Sequence, residues 1–324
     1  MRKGNKGRPF VPILAALLIL VLLFSLFQIL RHAVPESREA EVRTSKTVTY
    51  NGVEYFPRQD IDVLLVMGID KFGPVEPSGA YNNDGEADTI LLLIFDHTAQ
   101  AVRTLSINRD TMTEMPVLGI GGKQAGTYYG QIALSHTYGS GLEDSCENTR
   151  SAVSALLGGL HIDYYVAMHM DAIGILNDAV GGVTVEVEDD FSAAGVEIPT
   201  GRTTLFGQQA IDFVRYRQGV GDQLNISRME RQLDYIEGFF DSLRSTLAKN
   251  SNIVADIYGA AAEYLVTDCS ATVLSSMMER YGDYSPEAVQ SIPGDNRKGA
   301  EHMEFYPRED ALEQLVLELF YAPK

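Results

Sequence analysis

Residues 87–111, ADTILLLIFDHTAQAVRTLSINRDT, decide how the chain is read. Ile90 to Phe95 is a continuous apolar block and Ala101 to Ile107 alternates in part, so both read as strands. Only Asp96 to Gln100 separates them, a hairpin-length connection, so the two strands should run antiparallel. Upstream, Asp62 to Gly68 (DVLLVMG) is a third apolar block, closed by glycine. If it also pairs antiparallel, a meander results, and one edge of it carries Asp70, Asp88, Arg109 and Asp110. Two aspartates at such an edge can hold a hard divalent cation, while an arginine beside them binds a phosphate oxygen. Aspartate in GID, ADT and RDT is equally the residue that caps turns at strand ends, so spacing leaves both readings open.

A second charged group lies downstream. Gly207 to Arg217 (GQQAIDFVRYR) places Ala210, Ile211, Phe213 and Val214 at helical spacings and ends in Arg215 and Arg217. A further helix is predicted to begin near Ser227, where Ser227 and Glu230 fit a capping box. Arg228, Arg231 and Gln232 fall in its first two turns, where the helix dipole disfavours cations. An anion docked at that terminus would account for them, and so would a solvated face pairing with Glu230, Asp234 or Glu237. Between the groups, Thr149 to Leu160 reads as a helix, Tyr164 to Met168 as a strand, Asp171 to Val180 as a helix and Val183 to Val187 as a strand. The fold class is α/β, a mixed central β-sheet covered by helices.

The N-terminus differs from the rest. Phe10 to Leu30 carries no charge over 21 residues, enough for one membrane-spanning helix. Arg2, Lys3, Lys6 and Arg8 precede it without an acidic residue, which keeps the N-terminus cytoplasmic and exports the bulk of the chain. A cleaved signal peptide competes with this reading, but the apolar run is longer than a usual h-region. The expected organisation is a cytoplasmic tip and anchor over 1–31, an extracytoplasmic linker over 32–58 with a short strand near Val53 to Phe56, a core over 59–250, and a helical extension over 251–324 that includes Leu312 to Phe320.

The balance of 26 Lys+Arg against 44 Asp+Glu, a net charge of -18 over 324 residues, argues against nucleic-acid binding. Two cysteines, Cys146 and Cys269, exclude a disulfide-dense scaffold, and sequence leaves open whether they pair. His97, His136, His161, His169 and His302 show no zinc spacing. Gly119 to Gly122 lacks the context of a nucleotide cradle.

The ordered set GID at 68–70, ADTILL at 87–92, LSINRDT at 105–111, AVGGVTVEV at 179–187, the G-x-x-x-L-x-G of 201–207, and FVRYR followed by RMERQ resembles the LytR-CpsA-Psr family from about residue 60 to 245. The resemblance implies a phosphotransferase of the plasma membrane that moves a glycopolymer from a polyprenyl-pyrophosphate carrier to peptidoglycan. It also implies an apolar pocket for the polyprenyl tail. Asp70 and Asp88 would hold Mg²⁺ or Mn²⁺, and Arg109, Arg215 and Arg217 would grip the pyrophosphate. Asp110 would orient Arg109 or act as base, and Arg228, Arg231 and Gln232 would line the site. Three positions depart from the family pattern: Glu86 stands where an arginine is usual, Asn225 where an aspartate is usual, and Gln131 where a lysine is common. These departures keep two alternatives in view, a non-catalytic module that binds polyprenyl-linked precursors or wall polymer, and a lipid pyrophosphatase.

Overall fold

A computed structural model describes residues 47–119, 122–221, 225–247, 249, 259–269, 280–281 and 284–324. Phe10 to Leu30 lies outside them, and among the described residues no helix is long and apolar enough to cross a membrane.

The predicted meander is present. Strand β3 (Ile61–Ile69) pairs antiparallel with β4 (Ala87–Asp96), which pairs antiparallel with β5 (Ala101–Ile107). The tight connection between β4 and β5 is held by Asp96 Oδ1, which accepts the Ala99 N–H at 2.9 Å, and by Gln100 in a left-handed conformation with φ 49°. On the other side of β3, β8 (Tyr164–His169) runs parallel to it and carries β11 (Leu265–Thr267) antiparallel at its edge. The short strands β12 (Ser285–Pro286) and β13 (Gln290–Ser291) lie parallel along β5, so the sheet is mixed.

Both faces of this sheet are covered, which is why its central strands are almost continuously apolar. Leu64, Val66, Leu91 and Leu93 face α2 (Met170–Ala179), α3 (Gln208–Arg215) and α4 (Asn225–Leu247), meeting Leu176, Phe213, Val214, Tyr235 and Phe239. Val63, Leu65, Leu92 and Ile94 face the opposite layer, where α1 (Glu143–Leu156) contributes Cys146 and Val153, and α5 (Glu309–Phe320) contributes Leu317 and Phe320. Adjacent residues of one strand thus serve opposite layers, as the period of two requires.

Several expectations change in detail. The last segment contains α5 as expected from Leu312 to Phe320, but its other described parts are mostly strands, and β11 to β13 complete the main sheet across the boundary placed at residue 250. Strands of two or three residues carry no periodicity to read. The short strand expected near Val53 to Phe56 is present, and it ties the segment expected to be a linker into a small sheet. There β2 (Val53–Pro57) pairs with β1 (Val48–Tyr50) and with the C-terminal β16 (Tyr321–Pro323). Helix α4 already includes Asn225, so Ser227 sits inside its first turn instead of capping it. Cys146 and Cys269 are separate, buried thiols. Burial pushes both thiols well above their ordinary pKa, so neither is a reactive thiolate.

The connection from Asp70 to Glu86 is fastened by two histidines. His169 Nδ1 lies 2.9 Å from the Gly73 carbonyl, and His136 Nδ1 lies 2.8 Å from the Gly85 carbonyl. The Asn83 side chain adds bonds to the carbonyls of His136 and Gly139 at 2.9 and 3.0 Å. Burial lowers the His136 pKa from 6.5 to about 4, so the folded protein keeps this ring neutral while the unfolded chain protonates it. The unfolded state therefore binds more protons between those two values, and stability falls as pH drops from about 6.5 to about 4. The full loss from this group is on the order of 3 kcal/mol, with buried His169 acting in the same direction. Denaturant unfolding at pH 7 and pH 4.5, compared between the wild type and His136→Gln, should show the variant losing less stability across the interval.

Candidate active site

The hairpin brings the expected residues to one rim. Asp70 follows the end of β3, Asp88 is the second residue of β4, and Arg109 and Asp110 follow β5. The Asp70 N–H donates to the Glu86 carbonyl at 2.9 Å, which ties the first two strand ends together. From the helical layer above, α3 ends at Arg215 and the first turn of α4 delivers Arg228.

The rim is a lattice of opposite charges. The Arg109 guanidinium bonds Asp88 through Nη1 and Glu86 through Nη2. Arg228 Nη1 donates to the other oxygen of Asp88 at 2.7 Å, and both of these side chains are almost fully buried. Arg215 Nε donates to Asp70 Oδ1 at 3.0 Å, with its guanidinium 5.2 Å from the centre of the Phe72 ring. Arg217 contributes through its field, acting on Asp110 and on Arg228. Burial, reinforced by Arg109 and Arg217, lowers the Arg228 pKa to about 10, so it stays protonated at neutral pH.

Asp110 is 3% exposed and sits 3.4 Å from Arg109 Nε. Desolvation raises its pKa against the opposing pull of Arg109, Arg217 and Arg228. Its Oδ1 accepts from Gln131 Nε2 at 2.9 Å, and the same amide reaches the Met303 carbonyl at 2.8 Å. Gln131, noted in the sequence as a departure, is thus the neutral donor that fixes Asp110. The Arg109 Nε is buried, and among the described residues it has no acceptor in hydrogen-bond geometry.

Of the other two residues expected to line the site, Gln232 borders a cleft beside the rim, and Arg231 pairs with none of the rim carboxylates among the described residues. Arg231 donates to Asp189 Oδ2 at 2.7 Å, to the Phe213 carbonyl at 3.1 Å and to the Tyr216 carbonyl, above the Phe191 ring. It secures the end of α3 and the residues that follow. Gln232 donates to the Val214 carbonyl at 3.2 Å and borders an apolar cleft. That cleft runs under the charged rim between the sheet and the helices, past Gly68, Leu91, Met168, Ile173, Val214 and Phe239. Spacing did not single out Glu86 or Phe72 as partners of the arginines. The extended chain between positions 86 and 88, which puts both side chains on one side, was the available signal for Glu86.

The metal expectation can be tested on the donor set. Asp70 and Asp88 are both at the rim, and among the described residues no group of three or more His, Cys, Asp or Glu could hold a metal. Two carboxylates suit Mg²⁺, which takes few protein ligands and fills its octahedron with water and phosphate oxygens. They do not make a cage that holds a cation without a substrate.

The geometry separates structural from ligand-facing arginines. Arg231→Met should cost about 3 kcal/mol of unfolding free energy, because it leaves Asp189 and two carbonyls without their donor. Arg215→Met should cost less than about 1 kcal/mol, since both partners of its ion pair are about one-third exposed. Urea denaturation of the two variants checks this ordering.

Comparison with known proteins places the chain. A transferase from Bacillus mycoides (strain KBAB4), named polyisoprenyl-teichoic acid–peptidoglycan teichoic acid transferase TagU, is 26% identical over 268 residues, covering 82% of this chain and 80% of its own. Among solved structures, TagV of B. subtilis superposes with a TM-score of 0.58 at 23% identity, covering 81% of this chain and 96% of its own. TagT bound to LIIa-WTA superposes with a TM-score of 0.59 at 20% identity, covering 89% and 98%. These structural likenesses establish a shared fold. Residues 26–319 match the LytR_cpsA_psr family, so this chain is a member of the LytR-CpsA-Psr family.

Proposed function

We propose that the protein is a phosphotransferase that moves a glycopolymer from a polyprenyl-pyrophosphate carrier to peptidoglycan, anchored in the plasma membrane by Phe10 to Leu30 with its core outside. The observation that carries this reading is that Arg109, Arg228 and Arg215 pair with Asp88 and Asp70 at strand ends adjoining Gly68 and Thr89, which border an apolar cleft. An apolar cleft beside a cluster of arginines fits a lipid whose head is a pyrophosphate. The relatives named as teichoic acid transferases support the same assignment.

The site's own charges explain why a cation would belong to the reaction. Asp70, Glu86, Asp88 and Asp110 stand against the four arginines, so the rim is close to neutral before a donor arrives. A bound Mg²⁺ would screen the charge of the pyrophosphate oxygens. Held by Asp70 and Asp88, it would also compensate these carboxylates in place of their arginines. Arg215, Arg109 and Arg228 carry the donors that would meet phosphate oxygens, and a phosphate there would give the buried Arg109 Nε the acceptor it lacks among the described residues.

In the transfer, the acceptor hydroxyl oxygen forms a bond to the phosphorus that bears the glycan. The bond from that phosphorus to the bridging oxygen breaks, the polyprenyl monophosphate leaves, and the hydroxyl proton passes to a base or to water. Asp110, fixed by Gln131 and adjacent to Arg109 Nε, serves to orient Arg109. Its burial at 3% side-chain exposure sets it back from an acceptor approaching through solvent.

The test is transfer of a labelled polyprenyl-pyrophosphate glycan to peptidoglycan oligomers by the full-length chain with Mg²⁺. Covalent attachment should appear and fall about 100-fold or more in Arg109→Ala. Chelation should abolish it. Tight donor binding with neither attachment nor release of lipid phosphate would instead make the protein a binding module, and lipid phosphate released without attachment would make it a pyrophosphatase.

A further inference from the structure

Glu86 occupies the outer side of the Arg109 guanidinium. Its Oε2 meets Nη2, while Asp88 Oδ1 meets Nη1. The two carboxylates differ in how firmly they are held. The Asp88 side chain is 4% exposed and is gripped from behind by Arg228 at 2.7 Å. The Glu86 side chain is 36% exposed, and among the described residues its ion pair is with Arg109.

The backbone around Glu86 is fixed. Its carbonyl accepts the Asp70 N–H at 2.9 Å, the preceding Gly85 carbonyl is held by His136 Nδ1 at 2.8 Å, and the Gly85 N–H donates to Asn83 Oδ1 at 2.7 Å. Space around Gly85 is also tight, since a Cβ there would lie 2.9 Å from the Ile69 side chain. The rim can therefore rearrange at this point by rotation of the Glu86 side chain without movement of the chain. A phosphate that reaches Arg109 from solvent meets Nη2, the donor that Glu86 already uses.

We propose that Glu86 is a displaceable anion built into the protein, which holds Arg109 until the donor's pyrophosphate takes its place and returns to Arg109 when the product monophosphate leaves. The proposal rests on the reading of Arg109 as a phosphate ligand. Displacement costs little, because a partly exposed ion pair contributes little and Glu86 turns into water. Asp88 does not act in this way, because its side chain is buried and held by Arg228 as well as Arg109 and cannot turn into water as Glu86 does. The consequence is selectivity. A carboxylate that competes for Nη2 disfavours a weakly charged phosphate more decisively than a pyrophosphate, which has further oxygens for Arg215 and Arg228. Glu86 thus sets the protein to take up a pyrophosphate and let go of a monophosphate.

The test uses the full-length chain in detergent with Mg²⁺, titrated with farnesyl pyrophosphate and with farnesyl phosphate. Glu86→Gln, which keeps the shape and removes the charge, should bind farnesyl phosphate about five-fold more tightly and farnesyl pyrophosphate by a smaller factor, narrowing the ratio between them. In an Arg109→Ala background the same substitution should change neither affinity. If Glu86→Gln leaves both affinities unchanged or weakens them, while Arg109→Ala still reduces binding, the proposal is overturned and the functional reading stands. If the wild type and Glu86→Gln bind neither lipid, the functional reading fails and this proposal with it.

Discussion

A single carboxylate, Asp88, stands between two arginines from different layers of the fold. Arg109 comes from the end of β5 and Arg228 from the first turn of α4, and both bond Asp88 where almost no solvent reaches. Removing Asp88 would take from two largely buried guanidiniums the carboxylate they share, at a cost of several kcal/mol. The sheet edge and the overlying helix are therefore locked in register by the same ions that the chemistry uses. Such a lattice stores little net stability, since desolvation offsets most of the attraction. What it supplies is position, and phosphoryl transfer depends mainly on position and charge.

The apolar cleft and the charged rim are built from consecutive residues of the same strands. Gly68 and Thr89 border the cleft, and Asp70 and Asp88 lie beside them at the rim. In β4 the alternating side chains supply opposite core layers until the strand reaches its edge, where the sequence changes from apolar to acidic. A ligand with an apolar tail and an anionic head thus finds both environments within one turn of chain. Binding energy from the tail can position the head, which is how distant contacts serve catalysis.

The part of this arrangement legible in the sequence was the part fixed by local rules. A connection of hairpin length forces β4 and β5 antiparallel, and that alone brings Asp88 and Arg109 to one edge. Arg215, which ends α3, followed from helical spacing. Arg231 did not follow, because it lies about 60° around the helix from Arg228 and pairs with Asp189, a partner 42 residues away in sequence. Long-range pairing was silent too. β2 with β16 joins the two ends of the described chain, and β11 to β13 are too short to show a period. The contacts of Glu86 and Gln131 depend on where long side chains turn, and residue spacing does not record it.

The central claim is that carboxylates and arginines exchange partners when the donor arrives. A crystal structure with Mn²⁺ and a non-hydrolysable polyprenyl-pyrophosphate analogue tests it most directly, because manganese is located by its anomalous scattering. The account predicts an anomalous peak about 2.1 Å from oxygens of Asp70 and Asp88, with Arg109 and Arg215 turned onto the phosphates and the lipid tail in the cleft between the sheet and α4. Pyrophosphate bound away from the rim, with Arg109 and Arg215 still on their carboxylates and no metal at Asp70 and Asp88, would contradict it.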